Sequence, residues 1–264
     1  AFFEDTTDIN EDAFILQFNT CSYNSLKTST PSTTICSGSS TTLNVSGAES
    51  YSWSPSTGLS LTNTATPIAS PTVTTTYTVI GCSSVTDSVI VNVNPAPAVV
   101  ACCNTTIDAR QSTALSVSPI LNTNTYYWTP PNGLSCTICP NPNASPLVNT
   151  VYYVTITDSI GCTKIDTVII DVVCGNLFIP EAFSPNGDGQ NDKLYVRDDC
   201  IKTMNFVVFD RWGNKVFETN DQNLPWDGTY KGKALNAGSY VYYLNATMYD
   251  GTSVTKKGNV ALVR

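Results

Sequence analysis

Asp166-Thr167-Val168-Ile169-Ile170-Asp171-Val172 and Thr76-Tyr77-Thr78-Val79 decide the fold class of this 264-residue chain. Both are short runs of β-branched and aromatic residues, and in the second the side chains alternate polar and apolar, the period of a strand half-buried on one face. Gly, Pro and Asn clusters separate these runs from the next, and no stretch repeats apolar residues at a helical spacing. The chain reads as all-β.

Outward from these runs the sequence copies itself. Trp53, Pro55, Gly58 and Leu59 return as Trp128, Pro130, Gly133 and Leu134; Ser70-Pro71 and Tyr77 return as Ser145-Pro146 and Tyr152. Gly81-Cys82 matches Gly161-Cys162, and Asp87-Ser88-Val89 matches Asp166-Thr167-Val168. The offset drifts along the copy, which places insertions in loops, including a hairpin-length stretch near residues 155–160. The two copies resemble the immunoglobulin-like and PKD-like modules of bacterial adhesins. The boundaries expected are an N-terminal strand segment at 1–30, module 1 at 31–95, module 2 at 96–173 and a different domain at 174–264. Segment 1–30 resembles weakly, through Asp12-Ala13-Phe14-Ile15-Leu16, the closing strand of a β-propeller repeat; an edge strand packed on module 1 is the alternative.

Composition narrows the function classes. The net charge is -8 and charged residues are only 13% of the chain, so Ser, Thr and Asn supply the polar surface. An acidic chain without clustered Lys and Arg repels phosphates, which excludes nucleic acid as a partner. No apolar run reaches the roughly 18 residues of a membrane-spanning helix, so no direct span is expected. Histidine is absent, removing the commonest general base, and no catalytic constellation is found; the chain reads as no enzyme. Asp198 and Asp199 are adjacent, so in a strand they face apart and cannot act as a glycosidase pair. The chain starts at Ala1 without a signal segment, which reads as a fragment or a processed form.

Ten cysteines in such a surface indicate disulfides made outside the cytoplasm. Cys36 and Cys82 are expected to clip the sheets of module 1, a loop worth about 4 kcal/mol. In module 2 the counterpart of Cys36 is Asp108, so Cys162 is expected to pair with Cys102 or Cys103, with Cys103 taken as the candidate. Cys136-Thr137-Ile138-Cys139 is read as a local disulfide, because Pro140 and Pro142 forbid the helix of a redox pair; a zinc knuckle would have only Cys102 and Cys103 to call on. Cys174 and Cys200 bracket the start of the last domain and are expected to pair.

That domain carries a series of motifs: Phe183-Ser184-Pro185-Asn186-Gly187-Asp188-Gly189-Gln190-Asn191-Asp192, Phe209-Asp210-Arg211-Trp212-Gly213-Asn214, Trp226-Asp227-Gly228, Ala237-Gly238-Ser239-Tyr240 and Lys257-Gly258-Asn259-Val260-Ala261-Leu262-Val263-Arg264. In this order they resemble the gliding-motility-associated C-terminal domain, the type B sorting domain of type IX secretion. The resemblance implies a cell-surface, adhesin-like protein exported through the periplasm by the type IX secretion translocon and held at the outer membrane by a PorP-type β-barrel protein. Gly213-Asn214 is expected to give a tight hairpin the positive φ angles it requires. The strand at 259–263 is expected to lie at a sheet edge where a partner can read it, with Phe183, Ser184, Pro185, Asn186, Asp188, Lys257, Val260, Leu262 and Arg264 as candidate contacts.

Asn186, Asp188, Gln190 and Asp192 put oxygens at alternate positions, a candidate calcium cage; the alternative is a turn in which Asn and Asp bond their own backbone. The four tryptophans are read as core rather than as a sugar platform, because Trp53 and Trp128 are equivalent in the repeat. Asp87-Ser88-Val89 and Asp166-Thr167-Val168 resemble a bacterial O-glycosylation motif, with ordinary strand residues as the alternative. The competing function is a carbohydrate-binding accessory region of a secreted polysaccharide-degrading enzyme.

Overall fold

The computed structural model describes residues 26–81 and 85–264, and no helix occurs among them. The described residues up to Ala96 form one compact unit and residues 97–264 another. Alternation in the sequence becomes alternation in burial: along Thr75–Gly81, Tyr77, Val79 and Gly81 turn inward, and along Thr163–Val173, Val168 and Ile170 do.

In the first unit a four-stranded sheet runs Ser32–Cys36, Thr86–Asn94, Thr75–Gly81, Tyr51–Ser54, the first pair parallel and the others antiparallel. Two short pairs face it: Lys27–Thr28 with Val45–Ser46, and Thr41–Thr42 with Ile68–Ala69. Leu43, Val45, Trp53, Tyr77, Val79, Val89 and Val91 fill the space between. Leu26 belongs to this core too, so module 1 starts before residue 31; residues 1–25, with the candidate propeller strand, lie outside the described residues.

The second unit opens with the same design. Thr105–Asp108, Thr163–Val173, Thr150–Thr157 and Thr125–Thr129 form the sheet. The short pairs are Val100–Cys102 with Ser116–Ser118 and Thr113–Ala114 with Asn143–Ala144. Trp53 stands opposite Val79 and Trp128 opposite Val154, both indoles are buried, and both donate Nε1–H to a carbonyl of the covering loop, Thr64 O at 2.9 Å and Cys139 O at 3.0 Å. Cys136 and Cys139 are bonded to each other, Cα to Cα 6.0 Å, and staple the loop that lies over Trp128.

One carboxylate per module holds the strand that changes layers. Asp87 Oδ2 accepts from Thr28 N at 2.7 Å and Asp166 Oδ2 from Ala101 N at 2.8 Å. The hydroxyl-bearing residues Ser88 and Thr167 beside them are exposed. These backbone donors are the main cause holding both carboxyls below the usual range. With folded pKa values depressed, the stabilisation is fully present above the unfolded carboxylate value, about 3.9, and is lost as pH falls through the folded one. Asp166→Asn is therefore expected to cost module 2 about 1 kcal/mol at neutral pH, and the deficit should vanish in acid titrations followed by urea unfolding.

The register corrects one pairing. Val99 O, Ala101 N and Asn104 Oδ1 meet Lys164, Asp166 and Ile169 at a constant spacing of 65 residues. Cys162 therefore lies level with Pro97, and Cys102 is about 17 Å further along the strand, outside a disulfide's reach. Cys102 is bonded to Cys103 instead. In module 1, Cys36 is opposite Asn94 and Gly81 follows Ile80, which is opposite Thr86. The pairing expected between Cys36 and Cys82 falls outside the described residues, which include neither Cys82 nor Cys21. Cys36 and Cys162 are each disulfide-bonded.

The rest of the second unit is a separate sandwich with its own core. Its sheet runs Ala182–Phe183, Ser253–Leu262, Gly238–Met248, Ile201–Phe209, Lys215–Thr219. Phe183, Leu194, Phe206, Val208, Trp226, Leu244, Val260 and Leu262 pack inside it. Ala109 joins this core from module 2, Arg110 Nε donates to Asp199 O at 3.1 Å, and Cys174 is bonded to Cys200, Cα to Cα 5.6 Å.

Candidate functional site

The motif loops of the C-terminal sandwich converge on the end away from Cys200. Phe183 pairs with Leu262, which brings the loop at 184–192 beside the last strand. Gly228 lies between them with φ at +76, and a Cβ there would meet Leu262 Cδ1 at 2.9 Å and Pro185 Cγ at 3.2 Å, so the Trp-Asp-Gly motif requires glycine. Leu235 N donates to Gly228 O at 3.0 Å and Arg264 Nε to Leu235 O at 3.0 Å. Beneath them Trp226 is sealed by Phe183, ring centroids 5.2 Å apart, and Tyr240 at 5.1 Å.

The hairpin between Ile201–Phe209 and Lys215–Thr219 reaches the same end. Its turn is closed by Asp210: Oδ1 accepts from Trp212 N at 2.8 Å and Asn214 N at 2.9 Å, and Oδ2 from Asn214 Nδ2 at 3.0 Å. The Asn214 amide is the leading cause holding the Asp210 carboxyl below the usual range. Only Gly213 takes positive φ, at 80°; Asn214 serves through its side chain, not through its backbone angle as expected. Trp212 is 77% exposed, with the Arg211 guanidinium 5.2 Å from its ring centroid. A cleft of 210 Å³ separates this tip from the turn at 235–240.

The expected contact residues divide. Ser184, Pro185, Asn186 and Asp188 are accessible at this end, and Arg264 bonds the adjoining loop. Phe183, Val260 and Leu262 are core, so they cannot touch a partner without opening the domain. Lys257 is exposed but sits mid-strand opposite Tyr243. The last strand is no open edge where it was expected to be: Ala261 and Leu262 are covered by Ala182 and Phe183, with Ala261 N on Glu181 O at 2.8 Å and Val263 N on Phe183 O at 3.0 Å.

The loop at 186–192 folds back on itself through its Asn and Asp side chains. Asp192 accepts Gly187 N at 2.7 Å on Oδ1 and Gly189 N at 2.8 Å on Oδ2. Asp188 accepts Gln190 N and Asn186 Nδ2, and Asn186 Oδ1 accepts Asp188 N. Each oxygen of Asp188 and Asp192 accepts one N–H, the pattern of the self-bonded turn. Among the described residues no three of His, Cys, Asp or Glu gather as metal ligands. Sequence reading missed Asp210 as the closing group of its hairpin and the exposure of Trp212; the Asp-x-x-x-Asn spacing was the available signal for the first.

Residues 177–262 match the CHU_C type IX secretion signal domain model. A search of curated proteins gives no match. Among solved structures, the eight N-terminal Ig domains of Down Syndrome Cell Adhesion Molecule align over 92% of this chain and 37% of theirs, at 13% identity and TM-score 0.38. The chain thus spans little more than a third of that structure. A Ca2+-stabilized, ice-binding adhesin of an Antarctic bacterium aligns over 90% of this chain and 74% of its own, at 12% identity and TM-score 0.29. Scores this low carry no functional argument. Residues 177–262, behind two β-sandwich modules, thus match a type IX secretion signal domain, a non-catalytic kind of domain that implies a secreted, surface-exposed protein.

Proposed function

We propose that the motif-loop end of the C-terminal sandwich is the face read by the type IX secretion machinery, and that the delivered chain is then held at the outer membrane by a PorP-type β-barrel protein. The modules are the non-catalytic, adhesin-like part it displays. The observation that supports this reading is the convergence of residues 184–192, 210–214, 226–228 and 235–240 on one end, while Cys174–Cys200 and Arg110 engage the other. Of the loop and edge-strand modes expected from the sequence, this reading keeps the loop shape. Removing the barrel protein from a host that displays the chain should shift it from cells to medium; chain that stays cell-bound would refute the attachment step.

One observation favours a second reading, a binding face for a neutral polysaccharide on module 2. Tyr127 and Tyr153 are 55% and 47% exposed on the outer sheet face, beside Ile165 and Ile169. Tyr127 is opposite Thr155 and Tyr153 opposite Thr129, so the two rings are diagonal neighbours. At the equivalent positions module 1 carries Ser52 and Thr78. The face is aromatic and hydroxyl-bearing without a cation, which suits an uncharged ligand. A glycan array should show binding that Tyr127→Ala with Tyr153→Ala abolishes, and no glycan bound by the parent chain would dismiss this reading.

A further inference from the structure

Trp212 has no structural work that explains its position. Its indole is 77% exposed, whereas Trp53, Trp128 and Trp226 are buried in their cores. Tryptophan and arginine are among the residues most enriched at interface hot spots, and here they stand side by side on one exposed tip. The tip is also held rigid before any partner arrives. Asp210 ties Trp212 N, Asn214 N and Asn214 Nδ2, Gly213 N bonds Asp210 O at 3.0 Å, and Asp210 N bonds Asn214 O at 2.9 Å. A pre-ordered anchor spares the entropy a mobile loop would lose on docking.

Resting on the reading that residues 177–262 are the delivery signal, we infer that Trp212, flanked by Arg211, is the anchor residue that seats this domain in a socket of the type IX secretion machinery. The chemistry of the tip describes that socket. Its walls are apolar, to take the indole. It offers an acceptor to the indole N–H, a donor that requires a partner once desolvated. Its rim bears a carboxylate or carbonyl facing Arg211, which covers the ring at 5.2 Å. The cleft beside the tip, lined by Asn236, Ala237 and Ser239, leaves room for the opposing wall.

The test uses the full chain with a reporter in a type IX-competent host, comparing Trp212→Ala, Trp212→Phe and Arg211→Ala with the parent and with a chain ending at Val173. Surface protein is measured by protease shaving of intact cells, and folding by thermal unfolding of the purified variants. Trp212→Ala should reduce surface delivery at least about tenfold, as for a hot-spot truncation, at an unchanged melting temperature, with Arg211→Ala intermediate and Trp212→Phe largely restored. Delivery of Trp212→Ala and Arg211→Ala equal to the parent, while the chain ending at Val173 stays inside, would overturn the anchor and leave the delivery reading standing. A sugar-stacking tip would give that same result. Surface delivery of the chain ending at Val173 would overturn both.

Discussion

Trp226→Ala is expected to remove a large share of the stability of the C-terminal sandwich and abolish surface delivery while both modules stay folded. The indole is fully buried, in contact with Phe183 and Tyr240 and stacked near Phe217 at 6.4 Å, and its Nε1–H is satisfied by Thr229 O at 3.0 Å. Truncating a buried tryptophan costs about 3–5 kcal/mol, against a typical domain stability of about 5–15. The cavity would open directly under the motif loops, so their arrangement fails before the sheet does. Loss of near-UV dichroism from this domain, with the modules' transitions kept, is the measurement that checks it. Unchanged unfolding would show that the aromatic cluster is not what supports the site.

Removing the Cys174–Cys200 bond ranks second. It closes a loop of separation 26, worth roughly 3.5 kcal/mol in the chain-entropy model. Cys174→Ala with Cys200→Ala should therefore lower the unfolding free energy of the C-terminal sandwich by about 3 kcal/mol, and a reductant should reproduce this in the parent. The joint with module 2 should loosen as well, since Arg110 bonds the carbonyl of Asp199, next to Cys200. A double variant as stable as the oxidised parent would mean the bond constrains a segment ordered without it.

Much of the fold was legible because it is local. Alternation at 76–79 and the repeated Trp53 and Trp128 point to sandwich cores without reference to anything distant, and the motifs after residue 177 mark a different domain. What stayed hidden depends on register between segments far apart in the chain. Asp87 and Asp166 resembled a glycan motif, yet their carboxylates bond backbone N–H groups 59 and 65 residues away. The pairing expected for Cys162 failed for the same reason: the alignment of two copies says which residues are equivalent, not which strands run side by side. The strand at 259–263 looked open because its cover, Ala182–Phe183, is only two residues long and parallel. The candidate site was legible as motifs but not as a surface, since Phe183, Val260 and Leu262 belong to the motifs and lie in the core, while Trp212 stands outside.

The most direct measurement is protease shaving of intact type IX-competent cells expressing the full chain or a chain ending at Val173, each behind the same leader and reporter. Both modules keep their own cores in the shorter chain. If residues 177–262 are the delivery signal, external protease will cut the full chain and the shorter one will remain protected in the periplasm. Equal cutting of both would contradict it.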